Sequence, residues 1–93
     1  MAMYTVEMFG MPYSISGIRE IKFQLKDDAK LTDIVGALRR EIPSLEGEVI
    51  TPGNDFLMDG FTFNINGQFY VDDRDLILKG DDHIILLTLA TIG

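Results

Sequence analysis

Apolar and polar side chains alternate from the first residues onward. Tyr4, Val6 and Met8 fall on one side and Thr5 and Glu7 on the other, the period of a half-buried strand. Gly10, Pro12, Ser14, Ser16 and Gly17 crowd the next segment, which reads as a connecting loop. Alternation then resumes over residues 18–25, with Ile21, Phe23 and Leu25 inward and Lys22 and Gln24 outward, so these two strands are expected to form an antiparallel hairpin. The period changes at Leu31-Thr32-Asp33, where an apolar residue, a capping hydroxyl and a first-turn acid mark a helix start. Ile34, Val35, Leu38 and Ile42 recur at helical spacing, and Pro43 ends the run. Gly36 lies inside this helix at a cost of about 1 kcal/mol relative to alanine, and close packing against a sheet is the expected reason for it.

Residues 44–60 are irregular, with Pro52, Gly53, Asn54, Asp59 and Gly60 turning around short apolar pieces, and they are expected to wrap one edge of the domain. A second hairpin follows: residues 61–65 alternate, Asn66-Gly67 supplies the turn and residues 68–71 return. Leu76-Ile77-Leu78 is a short apolar anchor, and residues 79–82 turn into the last strand. That strand, residues 84–89, carries no polar residue except Thr88, which predicts burial on both faces and a central place in the sheet. One helix covers only one face of a sheet. With Ile84, Leu86 and Thr88 toward the helix, Ile85, Leu87 and Leu89 face the other way, either as a partner-binding patch or under a covering loop.

Composition narrows the chemistry. The 93 residues suit a single domain, residues 1–93, in which residues 90–93 form a C-terminal tail. With 46% hydrophobic and 25% charged residues the chain is ordinary for a folded protein. The absence of cysteine excludes disulfides, thiolate metal sites and cysteine nucleophiles, and it fits a cytoplasmic location. No stretch has the apolar length of a membrane span, and the start of the chain lacks a signal-peptide pattern. A formal charge of −7, from 15 acids and 8 bases, argues against nucleic acid and for a basic partner surface, although acidity also serves solubility.

Few residues offer catalysis. His83 is the only histidine, with no serine or cysteine nucleophile near it in sequence, and it reads as a turn residue. Asp72-Asp73, Asp75 and Asp81-Asp82 lack the calcium-loop ligand pattern and read as solvated turns, with Asp81 or Asp82 capping one of them. Neither a metal nor a cofactor is expected. Gly93 is different, because a terminal residue without a side chain leaves its carboxylate open to close approach by another protein's active site.

Three segments carry a resemblance that spans nearly the whole chain: the helix from Thr32 to Pro43 running into Ser44-Leu45, the Phe63-Asn64-Ile65-Asn66-Gly67-Gln68 hairpin, and residues 78–84. Together they resemble the small sulfur-carrier proteins of the MoaD and ThiS kind. The resemblance implies an α+β, ubiquitin-like β-grasp fold, a mixed four- to five-stranded sheet with one main helix packed on one face. It further implies a protein cosubstrate rather than an enzyme. In that family the C-terminal glycine is adenylated by a ubiquitin-activating-type enzyme of the MoeB or ThiF kind and converted to a thiocarboxylate. Its sulfur then passes to a molybdopterin precursor with the large synthase subunit, or to the thiazole of thiamine with thiazole synthase, and some relatives are attached to proteins through the same terminus.

On this resemblance Gly93 is the acyl carrier, and Ile85, Leu87, Leu89, Ala90, Thr91 and Ile92 form the surface and tail offered to partners. The family ends in Gly-Gly, whereas this chain has Ile92 at the penultimate position, which is wider and stiffer in a narrow crevice. Ala90 and Thr91 are small enough to pass. The alternative reading is a ubiquitin-like interaction module that has lost tail chemistry.

Overall fold

The computed structural model describes residues 1–53, 56–71 and 73–89. Five strands make one mixed sheet: β1 (Ala2–Met8), β2 (Glu20–Leu25), β3 (Phe61–Ile65), β4 (Gln68–Tyr70) and β5 (Ile84–Thr88), in the order β2-β1-β5-β3-β4. Both expected hairpins form. β1 pairs antiparallel with β2, placing Tyr4 opposite Phe23 and Val6 opposite Ile21. β3 and β4 pair antiparallel through Asn66 (φ 54°) and Gly67 (φ 89°), the two left-handed residues of a primed turn. The apolar strand β5 is central, parallel to β1 and antiparallel to β3.

A single long helix, α2 (Leu31–Glu41), lies on one face of the sheet (α1 is the short helix described next). Its buried stripe of Leu31, Ile34, Val35, Ala37 and Leu38 joins Tyr4, Val6, Met8, Phe23, Phe63, Ile84 and Leu86 in one core. Tyr4 is fully buried, yet its hydroxyl donates to the Lys26 carbonyl (3.0 Å) and accepts from the Ala29 N–H (3.2 Å), so no polar group is left unsatisfied there.

Several details differ from the sequence reading. The expected loop after β1 contains a short helix, α1 (Met11–Ser16). Pro12 suits the first turn because its φ is already helical and its missing N–H is not needed there. Gly17, at φ 72°, ends the helix by donating to the Tyr13 carbonyl. In α2 the cap is Lys30 rather than Thr32, because the Asp33 carboxylate reaches back to accept the Lys30 N–H at 2.8 Å. Gly36 does not touch the sheet, and a Cβ added there would meet nothing within 4 Å. Leu76-Ile77-Leu78 makes an isolated bridge from Ile77 to Lys30, and Leu78 is buried. The irregular crossing does more than wrap an edge: it holds a 3-10 turn (Pro43–Leu45) and supplies Leu45, Val49, Ile50 and Phe56 to the core.

Candidate functional site

The face of the sheet opposite α2 is built from the outward residues of four adjacent strands. The pairing sets Glu7 beside Ile85, Ile85 beside Asn64, and Asn64 beside Phe69; in the next row Leu87 lies beside Thr62. Ile84 and Leu86 are fully buried toward α2, whereas Ile85, Leu87 and Leu89 are half-buried. The expected division of β5 between two faces therefore holds for Ile84 through Leu87. No described loop buries Ile85, Leu87 or Leu89. Phe69 and Val71 extend the apolar surface, with 60% and 54% of their area exposed. Isolated exposed apolar residues are normal, but a contiguous set on one face is the mark of a binding surface.

Side-chain hydrogen bonds tie the strands and turns of this face together. Thr62, the one fully buried polar residue among the described residues, donates its hydroxyl to the Tyr70 carbonyl at 3.0 Å and so fastens β4 to β3. Asn66 links two turns: its Nδ2 donates to Asp82 Oδ1 (2.8 Å), and its Oδ1 accepts the His83 N–H (2.9 Å). Asp82 also accepts the Lys79 N–H at 2.8 Å, the turn-capping role expected for this pair of acids. His83 Nε2 lies 3.1 Å from Glu7 Oε1 on the exposed surface. Lys79 is fully exposed, and its pKa is raised above the ordinary value of 10.5, first by a hydrogen bond to Asp28 and then by the charge of that carboxylate.

The chain leaves the sheet through a narrow clamp. Phe9 N–H donates to the Leu86 carbonyl (3.0 Å), Met11 N–H donates to Thr88 Oγ1 (3.1 Å), and Leu89 N–H donates to the Gly60 carbonyl (2.8 Å). Gly10, at φ +69°, is needed at this point because a Cβ there would sit 3.0 Å from Thr88 Oγ1. Leu89 is the last described residue, so the expectations for Ala90, Thr91, Ile92 and Gly93 lie outside the described residues. Beside Leu89 opens a concavity of about 700 Å³ lined by Phe56, Met58, Phe61, Val71 and Arg74. The Arg74 guanidinium stands 5.3 Å above the Phe56 ring.

Sequence reasoning named Ile85, Leu87 and Leu89 but overlooked Phe69, Val71, Phe9 and Met11. Phe69 and Val71 were accessible from period two, since each neighbours the inward Tyr70. Phe9 and Met11 were not, because their position beside β5 depends on a contact spanning most of the chain.

Solved structures share this fold. SAMP1 of Haloferax volcanii superposes with a TM-score of 0.82 and 21% identity, covering 99% of this chain and 100% of that one. A putative molybdopterin converting factor, subunit 1, of Pyrococcus furiosus gives 0.76 and 21%, covering 97% and 100%. Urm1 of Sulfolobus solfataricus gives 0.65 and 21%, covering 90% and 97%. No family model matches the chain, and no curated protein does. At these identities the likeness establishes the fold: an α+β ubiquitin-like β-grasp with five strands and one main helix.

Proposed function

We propose that this chain is a sulfur-carrier protein acting through the carboxylate of Gly93. The observation that carries the reading is the superposition over nearly the full length of both chains on SAMP1, with a molybdopterin converting factor subunit and Urm1 sharing the same fold. The likeness of residues 63–68 and 78–84 to the sulfur-carrier pattern supports it.

The proposed chemistry follows from what a carboxylate lacks. It is a poor electrophile, so an oxygen of the Gly93 carboxylate attacks the α-phosphorus of ATP, and pyrophosphate leaves. The resulting acyl adenylate has a good leaving group. A donor at the sulfide oxidation level attacks the carbonyl carbon, AMP departs, and the terminus becomes a thiocarboxylate. This chain supplies no catalytic group; an E1-like adenylating enzyme of the MoeB or ThiF kind does. The chain contributes the docking face of Ile85, Leu87 and Leu89 and the tail Ala90-Thr91-Ile92-Gly93 that reaches the nucleotide. The acceptor is a molybdopterin precursor held by the large synthase subunit, or the thiazole precursor of thiamine on thiazole synthase. The proposed place of action is the cytoplasm, and the whole of residues 1–93 acts as one domain with residues 90–93 as its tail.

Intact-mass spectrometry tests the reading. The protein is incubated with ATP, sulfide and the activating enzymes of its own host. A mass gain equal to replacing one oxygen by sulfur, lost on deleting Gly93, is the expected result. If wild type gains nothing while an Ile92→Gly variant is converted, the tail chemistry has been lost, and the chain is an interaction module.

A further inference from the structure

Asn66 and Gly67 form the turn between β3 and β4, and an Asn-Gly pair is open to one uncatalysed reaction. The glycine amide nitrogen attacks the asparagine side-chain carbonyl, and the glycine has no side chain to obstruct the approach. This turn opposes that attack in three ways. Both residues have positive φ (54° and 89°), the signature of a type I′ turn. In the left-handed well ψ is about +30 to +60°, which carries Gly67 N to the side of the Cα–C bond opposite Asn66 Cβ, whereas ring closure needs the two eclipsed. The Gly67 N–H, whose proton must leave, donates to Asn64 Oδ1 at 3.1 Å. The amide that must swing toward it is held by the neighbouring turn: Nδ2 donates to Asp82 Oδ1 at 2.8 Å, and Oδ1 accepts the His83 N–H at 2.9 Å. Asn66 and Gly67 are exposed, so burial gives no protection against water or hydroxide. The His83 N–H also polarises the carbonyl it binds, so protection rests on geometry and not on a deactivated amide.

We propose that Asn66 is a latent deamidation site, kept closed in the native turn by Asn64 and Asp82 and opened when the hairpin separates from residues 79–83. In the open form Gly67 N gives up its proton to a solvent base and bonds to Asn66 Cγ. The Cγ–Nδ2 bond breaks, and the amine takes a proton from water and leaves as ammonia. Water then opens the five-membered imide, giving aspartate when it adds at Cγ and isoaspartate when it adds at the backbone carbonyl. No oxidant or reductant takes part. The aspartate product cannot remake the joint, because a carboxylate replaces the Nδ2 donor and meets Asp82 with like charge. Isoaspartate lengthens the main chain by one methylene within a two-residue turn. Either product loosens the entry to β5, since Ile84 and Ile85 directly follow His83, and the change is irreversible. The reaction is independent of any tail chemistry.

The test is peptide mapping by mass spectrometry, which resolves asparagine, aspartate and isoaspartate at position 66. The full chain is held in neutral buffer at physiological temperature beside an acetylated, amidated peptide of residues 64–68. Residue 66 is expected to convert at least about tenfold more slowly in the protein than in the peptide, because only the open fraction reacts. Asn64→Ala and Asp82→Ala should each speed conversion about threefold or more, as each removes one hydrogen bond from the closed turn. Asn64→Asp, which keeps an oxygen for the Gly67 N–H, should restore the wild-type rate. Gly10→Ala strains the chain far from the turn and should leave the rate unchanged. If circular dichroism shows that Asp82→Ala does not fold, the two Asn64 variants decide. Conversion at the peptide's rate, failure of a folded Asn64→Ala or Asp82→Ala to speed it, failure of Asn64→Asp to restore it, or equal acceleration by Gly10→Ala would each overturn the proposal.

Discussion

Three residues show how one chemical group sets a local energy. Gly36 and Gly10 are both glycines, but they respond in opposite ways to a methyl group. Gly36 sits in a helix with open space beside it, so Gly36→Ala should stabilise the protein by about 1 kcal/mol, read as a higher urea midpoint with an unchanged m-value. Gly10 combines φ +69° with a 3.0 Å approach to Thr88 Oγ1, so Gly10→Ala should destabilise by about 1–3 kcal/mol in the same assay. The Lys79–Asp28 pair is exposed, and its effect is visible in titration rather than in melting. A raised lysine pKa means that the pair's contribution is fully present below the ordinary value of 10.5 and is lost as pH rises through the folded value. NMR titration of the Lys79 side chain should therefore show its pKa falling toward the ordinary value in Asp28→Asn, with no difference in behaviour between the two proteins' Lys79 at neutral pH.

At the scale of elements, the pattern of hydrophobic positions was enough to place β1, β2, α2, β3, β4 and β5, because α2 repeats at helical spacing, β5 is an unbroken apolar run and the other strands alternate. It failed at α1, where two glycines, a proline and two serines look like a loop although Pro12 and Gly17 are a helix start and stop five residues apart. It also placed the α2 cap two residues late, since the Asp33 carboxylate and not the Thr32 hydroxyl satisfies the first turn. One hydroxyl supplements the backbone ladder at the edge of the candidate face. In Thr62→Val the shape is kept, but the Tyr70 carbonyl loses the hydroxyl donor, and the protein should lose about 1 kcal/mol of stability. Hydrogen exchange at β4 should rise more than at β5, which is paired on both sides.

At the scale of the whole molecule, the two faces of the sheet have different duties. One holds the core under α2, and the other leaves Ile85, Leu87, Phe69 and Val71 accessible on and beside β5. If the proposed activating enzyme reads that face, Leu87→Glu should leave the circular dichroism spectrum intact while raising the KM for adenylation by about tenfold or more, with kcat changed less. An equal loss from a charge placed far away, such as Thr32→Glu, would show instead that added acidity alone is responsible.

Sequence alone determined the strands, the main helix, both hairpins and the centrality of β5, because hydrophobic periodicity is a local record of which side of an element is buried. It also singled out Ile85 and Leu87, whose orientation follows from parity once Ile84 and Leu86 are assigned to the core. Only the tertiary structure decided that β5 runs parallel to β1 and antiparallel to β3, that Phe9 and Met11 flank its end, and that Gly36 opens a groove rather than closing a contact. Those facts rest on pairs of residues far apart in the chain, such as Met11 with Thr88 and Leu25 with Gly36, and no local pattern records which distant side chain will be missing or present at a given face.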